Sequence, residues 1–174
     1  MTLSKVEVAL DRSESVRDDS FVSFFEAEYD GLYRTLVLMV GSRSEADELA
    51  QEAMARVYER WDRVRGMGSP AGYAYAIAFN LNKRRLRNLV RGWRGILPEP
   101  EAAPSTDLID ARRDVRAALL RLPTPLREAV VLTGWLELSA EEAAQVLGIQ
   151  AVSVRGRLHR ARQLLRHLLE ETDG

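Results

Sequence analysis

A chain of 174 residues, 46% hydrophobic and 29% charged, can fold as one medium domain or two small ones. It has no cysteine and only two histidines, His159 and His167, which excludes disulfides, thiolate chemistry and a histidine-built metal site. The net charge of -1 hides a segregated distribution: Phe21 to Val64 holds nine acids against five arginines, whereas Arg65 to Leu97 holds seven basic residues and no acid. Such segregation points to separate surfaces, an acidic one for a protein and a basic one for nucleic acid.

Residues 1–19 are polar and of mixed charge, and read as a mobile tail with at most a helical turn near Val6 to Leu10. Asp11, Glu14, Asp18 and Asp19 speak against a signal or transit peptide. An apolar run such as Leu36 to Val40 is too short to span a bilayer. A cytoplasmic protein without membrane insertion is expected. Ser20 is placed to cap a helix from Phe21 to about Val40, its inward stripe being Phe21, Phe24, Phe25, Leu32, Leu36 and Val40, with Gly41 to stop it.

Ser44 and Asp47 form a second capping pattern, opening a helix from Glu45 to about Val64. Ala46, Leu49, Ala53, Val57, Trp61 and Val64 lie on one stripe, while Asp47, Glu48, Gln51, Glu52, Arg56 and Glu59 lie on the other face. On residues alone that polar face reads as a solvated one with internal charge pairs. Arg65 to Ser69 is a glycine-rich loop, and Ser69-Pro70 fits a cap followed by a first helical residue. The helix that follows, to about Arg91, places Tyr73, Ile77, Ala78 and Leu81 inward. It interleaves Tyr73, Tyr75 and Phe79 with Asn80, Asn82 and the run Lys83, Arg84, Arg85, Arg87. Aromatics beside cations suit single-stranded nucleic acid, although some of these rings must be core.

Gly92 to Thr106 carries three prolines and two glycines and reads as a flexible linker. Fully extended it would reach on the order of 50 Å, at about 3.3 Å per residue. A helix from about Asp107 to Arg121 should point Leu108, Val115, Leu119 and Leu120 inward. After Leu122-Pro-Thr-Pro125, with Thr124 as cap, another helix should run to about Leu136, turning Leu126, Ala129, Val130 and Thr133 to the core.

The last segment is the most specific. Ser139 with Glu142 makes a capping box, Gly148 suits a left-handed helix end, and Leu138 stands at the staple position. A second helix repeats Val154, Leu158, Ala161, Leu165 and Leu168 at helical spacing, with Arg155, Arg157, Arg160, Arg162 and Arg166 between them. A short capped helix, a glycine turn and a basic helix are how a helix-turn-helix presents a recognition helix to the major groove. The residues from Glu170 onward should fray. The expected fold class is all-α: two small helical domains joined by a flexible linker, the C-terminal one a helix-turn-helix.

In this order, the segments Asp47 to Trp61, Pro70 to Leu81 and Leu119 to Leu132, with the helix-turn-helix, resemble a bacterial RNA polymerase sigma factor of the extracytoplasmic-function class, similar to the actinobacterial sigma-E type. The resemblance covers about Phe21 to Leu168. It implies a tail (1–19), a sigma region-2-like domain (20–91), a linker (92–106) and a region-4-like domain (107–170). It further implies a factor that binds core RNA polymerase and directs promoter recognition, DNA melting and transcription initiation, for a stress or envelope regulon. Asp47, Gln51, Glu52 and Arg56 would dock on the clamp of the polymerase's largest subunit; the flap of the second largest is the other expected polymerase contact. Arg65, Ser69, Asn80, Lys83, Arg84 and Arg87 would recognise and open the minus-ten element, where flipped bases need polar edges and phosphates need cations. Ser153, Arg155, Arg157 and Arg160 would contact the minus-thirty-five element. The resemblance also admits an anti-sigma factor as partner. It implies neither catalysis nor cofactor nor metal.

Three positions depart from the family's pattern. Phe79 stands where arginine is usual, Gly156 where serine is common, and Gln150-Ala151 make a weak cap for the recognition helix. A free-standing helix-turn-helix regulator is the alternative of another class. It would leave the acidic and basic helices of the first half without a role.

Overall fold

The computed structural model describes residues 5–92 and 110–170, with side chains for residues 19–89 and 115–169. Most of the 92–106 linker and the residues after Glu170 lie outside them. Among the described residues there is no strand, as the sequence predicts. The first half comprises α1 (Lys5–Val40), α2 (Arg43–Glu59), the single turn α3 (Trp61–Val64) and α4 (Pro70–Gly92). The second comprises α5 (Asp110–Arg121), α6 (Thr124–Val130), a π-helical turn (Val131–Trp135), α7 (Ala140–Leu147) and α8 (Ala151–Glu170).

Several boundaries differ from those expected. The first helix begins at Lys5 rather than Phe21, so the backbone of residues 5–19 is helical and not a tail. Ser20 therefore caps nothing; its hydroxyl accepts a 2.7 Å hydrogen bond from the Trp61 indole. Gly41 ends α1 in the left-handed region at φ 80°, which a glycine adopts without penalty. The chain turns at once, so Ser42, not Ser44, becomes the extended N-cap and accepts from the Glu45 backbone N–H. Arg60 leaves helical geometry (φ -118°, ψ 17°) and splits the expected single helix into α2 and α3. That break aims Trp61 into Phe21 and Phe24, with ring centroids 5.5 and 4.9 Å away.

The Ser69 cap is present, its hydroxyl accepting from the Gly72 N–H at 3.0 Å. A Cβ on Gly72 would lie 2.8 Å from that hydroxyl oxygen, so this glycine leaves room for the cap. Thr124 is already helical; Pro123 occupies the N-cap position and Pro125 sits in the first turn. The expected helix to Leu136 stops being α-helical at Val130. The π-turn shifts the register, so Val131 and Leu132 are both buried while Thr133 bonds back to the Ala129 carbonyl at 2.9 Å. Val115, expected to face the core, is half exposed. The capping box and the left-handed Gly148 (φ 65°) are both formed.

The two halves pack against each other. One apolar cluster unites Leu32, Leu36, Met39, Tyr75 and Phe79 from the first half with Ala129, Leu132, Ala143, Leu147 and Val154 from the second. Phe79, 1% exposed, is among the largest fully buried side chains. It and Tyr75 are core rings, not a stacking platform. Phe79→Ala should therefore cost about 3–5 kcal/mol, read as a lower urea midpoint. Ser139→Ala, which removes the capping box from an exposed helix start, should cost only about 1 kcal/mol in the same measurement.

Candidate nucleic-acid and polymerase interface

α2 and α4 lie side by side, tied by the aligned apolar faces of Ala46, Leu49, Ala50, Ala53, Ala78 and Phe79. An ion pair between Arg85 and Glu45 also spans the two helices. Their outward faces leave a groove of about 650 Å³. Five predicted residues line it: Glu52 and Arg56 from the polymerase set, and Asn80, Arg84 and Arg87 from the minus-ten set. Arg60 and Glu59 line it too, and sequence reasoning assigned neither a promoter or polymerase role. Arg56 Nε donates to Glu52 Oε1 at 2.8 Å, and Arg60 donates to the Tyr73 hydroxyl at 3.2 Å. These contacts fix two guanidinium groups on the wall, while Arg84 and Arg87 are exposed.

Asp47 is only partly open. It accepts from the Tyr29 hydroxyl at 2.6 Å and from Gln51 at 2.8 Å. Burial first, and the Asp47 carboxylate next, push the Tyr29 hydroxyl up to about 12, so it stays a donor at neutral pH. Asp47 and Gln51 thus hold each other in place beside exposed Glu48 and Glu52. Arg65 and Ser69 sit in the loop before α4 and do not line the groove; Arg65 pairs with Asp62 at 3.4 Å, and Ser69 is occupied as a cap.

Lys83 is on another side of α4. Its ammonium lies 3.9 Å from Glu128 and donates to the Leu147 carbonyl at 3.4 Å, both in the second half. On α8, Ser153, Arg155 and Arg160 are exposed. Arg155 pairs with Glu141 of α7, and Arg160 Nε donates to the Gly156 carbonyl at 3.3 Å. Arg157 turns inward, 3.7 Å from Glu128. Glu128, 1% exposed, is the charged residue that sequence reasoning missed. Its one signal is a lone acid in the apolar stretch between Leu126 and Leu132.

Known families match each half of the chain. A model of sigma-70 region 2 matches residues 24–92, and a model of sigma-70 region 4 matches residues 112–165. The RNA polymerase sigma-E factor of Streptomyces antibioticus is 32% identical over 155 residues, covering 88% of this chain and 86% of that protein. This chain belongs to the sigma-70 family of RNA polymerase sigma factors. Its relatives place it in the extracytoplasmic-function class: the ECF RNA polymerase sigma factor SigW of Bacillus subtilis is 30% identical over 173 residues, covering 88% of this chain and 90% of that protein. The fold is that of sigma factor RpoE in its co-crystal with the anti-sigma factor NepR from Bartonella quintana. The TM-score is 0.70 at 22% identity, over 87% of this chain and 97% of that one. As a sigma factor, the chain partners RNA polymerase and promoter DNA and directs transcription initiation. Among the described residues, no helix is long and apolar enough to cross a membrane.

The α2–α4 groove lies in the region-2 match and α8 in the region-4 match. Gly156, in the middle of α8, is exposed, and a Cβ built there meets nothing within 4 Å. Packing within the chain does not require it. Gly156→Ala should therefore stabilise the protein by about 1 kcal/mol, measured by thermal unfolding. A simultaneous loss of promoter affinity would assign the glycine to close approach of DNA.

Proposed function

We propose that this sigma factor docks on the clamp of the largest polymerase subunit through the exposed polar face of α2: Gln51, Glu52 and Arg56, with Asp47 holding Gln51. The minus-ten element is opened along the adjoining groove, where Asn80 offers a polar edge and Arg84 and Arg87 offer cations to phosphates. Arg65 and the Ser69 loop lead the strand to the start of α4. Ser153, Arg155 and Arg160 of α8 contact the minus-thirty-five element, the domain being carried near the flap of the second largest subunit. Arg157 and Lys83 join these contacts only once they leave Glu128. The protein performs no chemistry of its own, acts in the cytoplasm and serves a stress or envelope regulon. By likeness to the RpoE–NepR pair, an anti-sigma factor is a fitting partner.

The observation that carries this reading is the shared groove: Glu52 and Arg56 on one wall face Asn80, Arg84 and Arg87 on the other. Polymerase and melted strand would meet there. A free-standing regulator would have no use for such a junction. Run-off transcription with purified core polymerase tests it, and no transcript from any promoter selected from genomic DNA would sink it. Glu52→Lys reverses an exposed charge and should lower core affinity at least tenfold, about 1.4 kcal/mol, while the lost pair with Arg56 lowers stability by less than about 1 kcal/mol. Arg84→Ala with Arg87→Ala should spare core binding yet reduce open-complex formation. The salt dependence of single-strand binding should fall by about 0.7 per lost phosphate contact.

A further inference from the structure

Val152 stands in the first turn of α8 and is 64% exposed, the highest figure among the described large hydrophobic side chains. Residues three, four and seven positions further on share its face of the helix. They are Arg155, Gly156 and His159, all exposed, as is the adjoining Ser153. Val154 and Ala161 are fully buried and hold the opposite face of α8 in the core. A valine at the exposed position brings nothing to the fold: its branched side chain is a poorer helix former than alanine, and its methyl groups face water. None of those exposed neighbours adds an apolar side chain to it. This is a lone apolar knob in a polar field, too small to seat a protein.

We propose that Val152 reads a thymine of the minus-thirty-five element through the 5-methyl group of that base. The inference rests on the assignment of α8 to that element under the proposed function. In a helix-turn-helix the N-terminal residues of the recognition helix contact base edges, and Val152 is the second residue of α8. Valine carries no charge and no side-chain hydrogen-bonding group, so phosphates, sugars and polar base edges give it nothing. The thymine methyl is the apolar group that a base pair presents in the major groove. Gly156 lies one turn further along, where a built Cβ meets nothing within 4 Å. With no side chain there to hold the helix away, Val152 projects furthest from this part of the face. Arg155 and Arg160 supply cations on either side, for phosphates or guanine edges. Charge then sets how tightly α8 binds, and the valine helps set where.

Holoenzyme assembled with core polymerase tests this on a promoter selected from genomic DNA. Each thymine of the upstream element, on either strand, is replaced in turn by uracil, which lacks only the methyl. At one position the replacement should weaken binding about fourfold, the loss expected for one buried methyl group. Val152→Ala should bind thymine and uracil equally at that position, with the effects of other base changes intact. Val152→Ile should keep the preference for thymine. Both substitutions alter an exposed side chain, so helical circular dichroism should not change.

Equal binding of thymine and uracil at every position by the unsubstituted protein overturns the inference. So does a thymine preference that Val152→Ala retains, because another residue would then read the methyl. A loss in Val152→Ala that falls evenly on all sequences overturns it as well. Failure of the wider reading looks different: a holoenzyme indifferent to every base change in the upstream element would sink the assignment of α8 itself. Ordinary base preferences without a methyl effect sink the inference alone.

Discussion

One apolar stripe on α1 carries both halves of the molecule. Leu32, Leu36 and Met39 are at most 1% exposed, and α1 touches α2, α3 and α4 as well as α5, α6 and the π-turn. The stripe follows from side chains spaced three and four residues apart on a helix. A face buried that deeply needs covers on more than one side. The first half supplies α2 and α4, and the second half supplies the rest. The burial of each of these leucines is worth about 1.5–3 kcal/mol, so the stripe dominates any single polar contact in the structure.

Polar contacts act on geometry instead. α1 ends without a basic residue in its last turn. Arg127 and Arg116 of the second half donate to the Met39 and Gly41 carbonyls, placing positive charge at the negative end of the helix. Arg85 with Glu45 sets α4 against α2 in the same way. These contacts fix the angles at which apolar faces meet, and so fix which residues of α2 and α4 share a groove.

Much of the local chemistry was legible in the sequence, although the caps expected at Ser20 and Thr124 are not formed, and long-range chemistry was not. The capping box at Ser139, the left-handed turns at Gly41 and Gly148 and the Ser69 cap are decided within four residues, and all four are formed. The choice of Ser42 over Ser44 depended on where the preceding helix stopped. Val131 and Leu132 depended on an extra residue in the π-turn, which no 3.6-residue stripe anticipates. Arg157 and Lys83 sit among arginines that look equivalent in sequence; only packing reveals that these two face a buried carboxylate. Phe79 is the reverse case, a ring just ahead of Asn80, Asn82 and the basic run that the fold claims for its core. The pairing of Glu52 and Arg56 with Asn80, Arg84 and Arg87 was implied residue by residue, but their common groove needed coordinates.

The apolar cluster that crosses between the halves has a bearing on the protein's life before it meets polymerase. Leu147, Val154, Leu132 and the α1 stripe share one buried cluster that both halves build. Parting them in free solution would bare two complementary greasy faces, each able to stick to another molecule. Packed together, the two faces would spare a free chain that exposure. Shelf life and idleness would then be the same physical state.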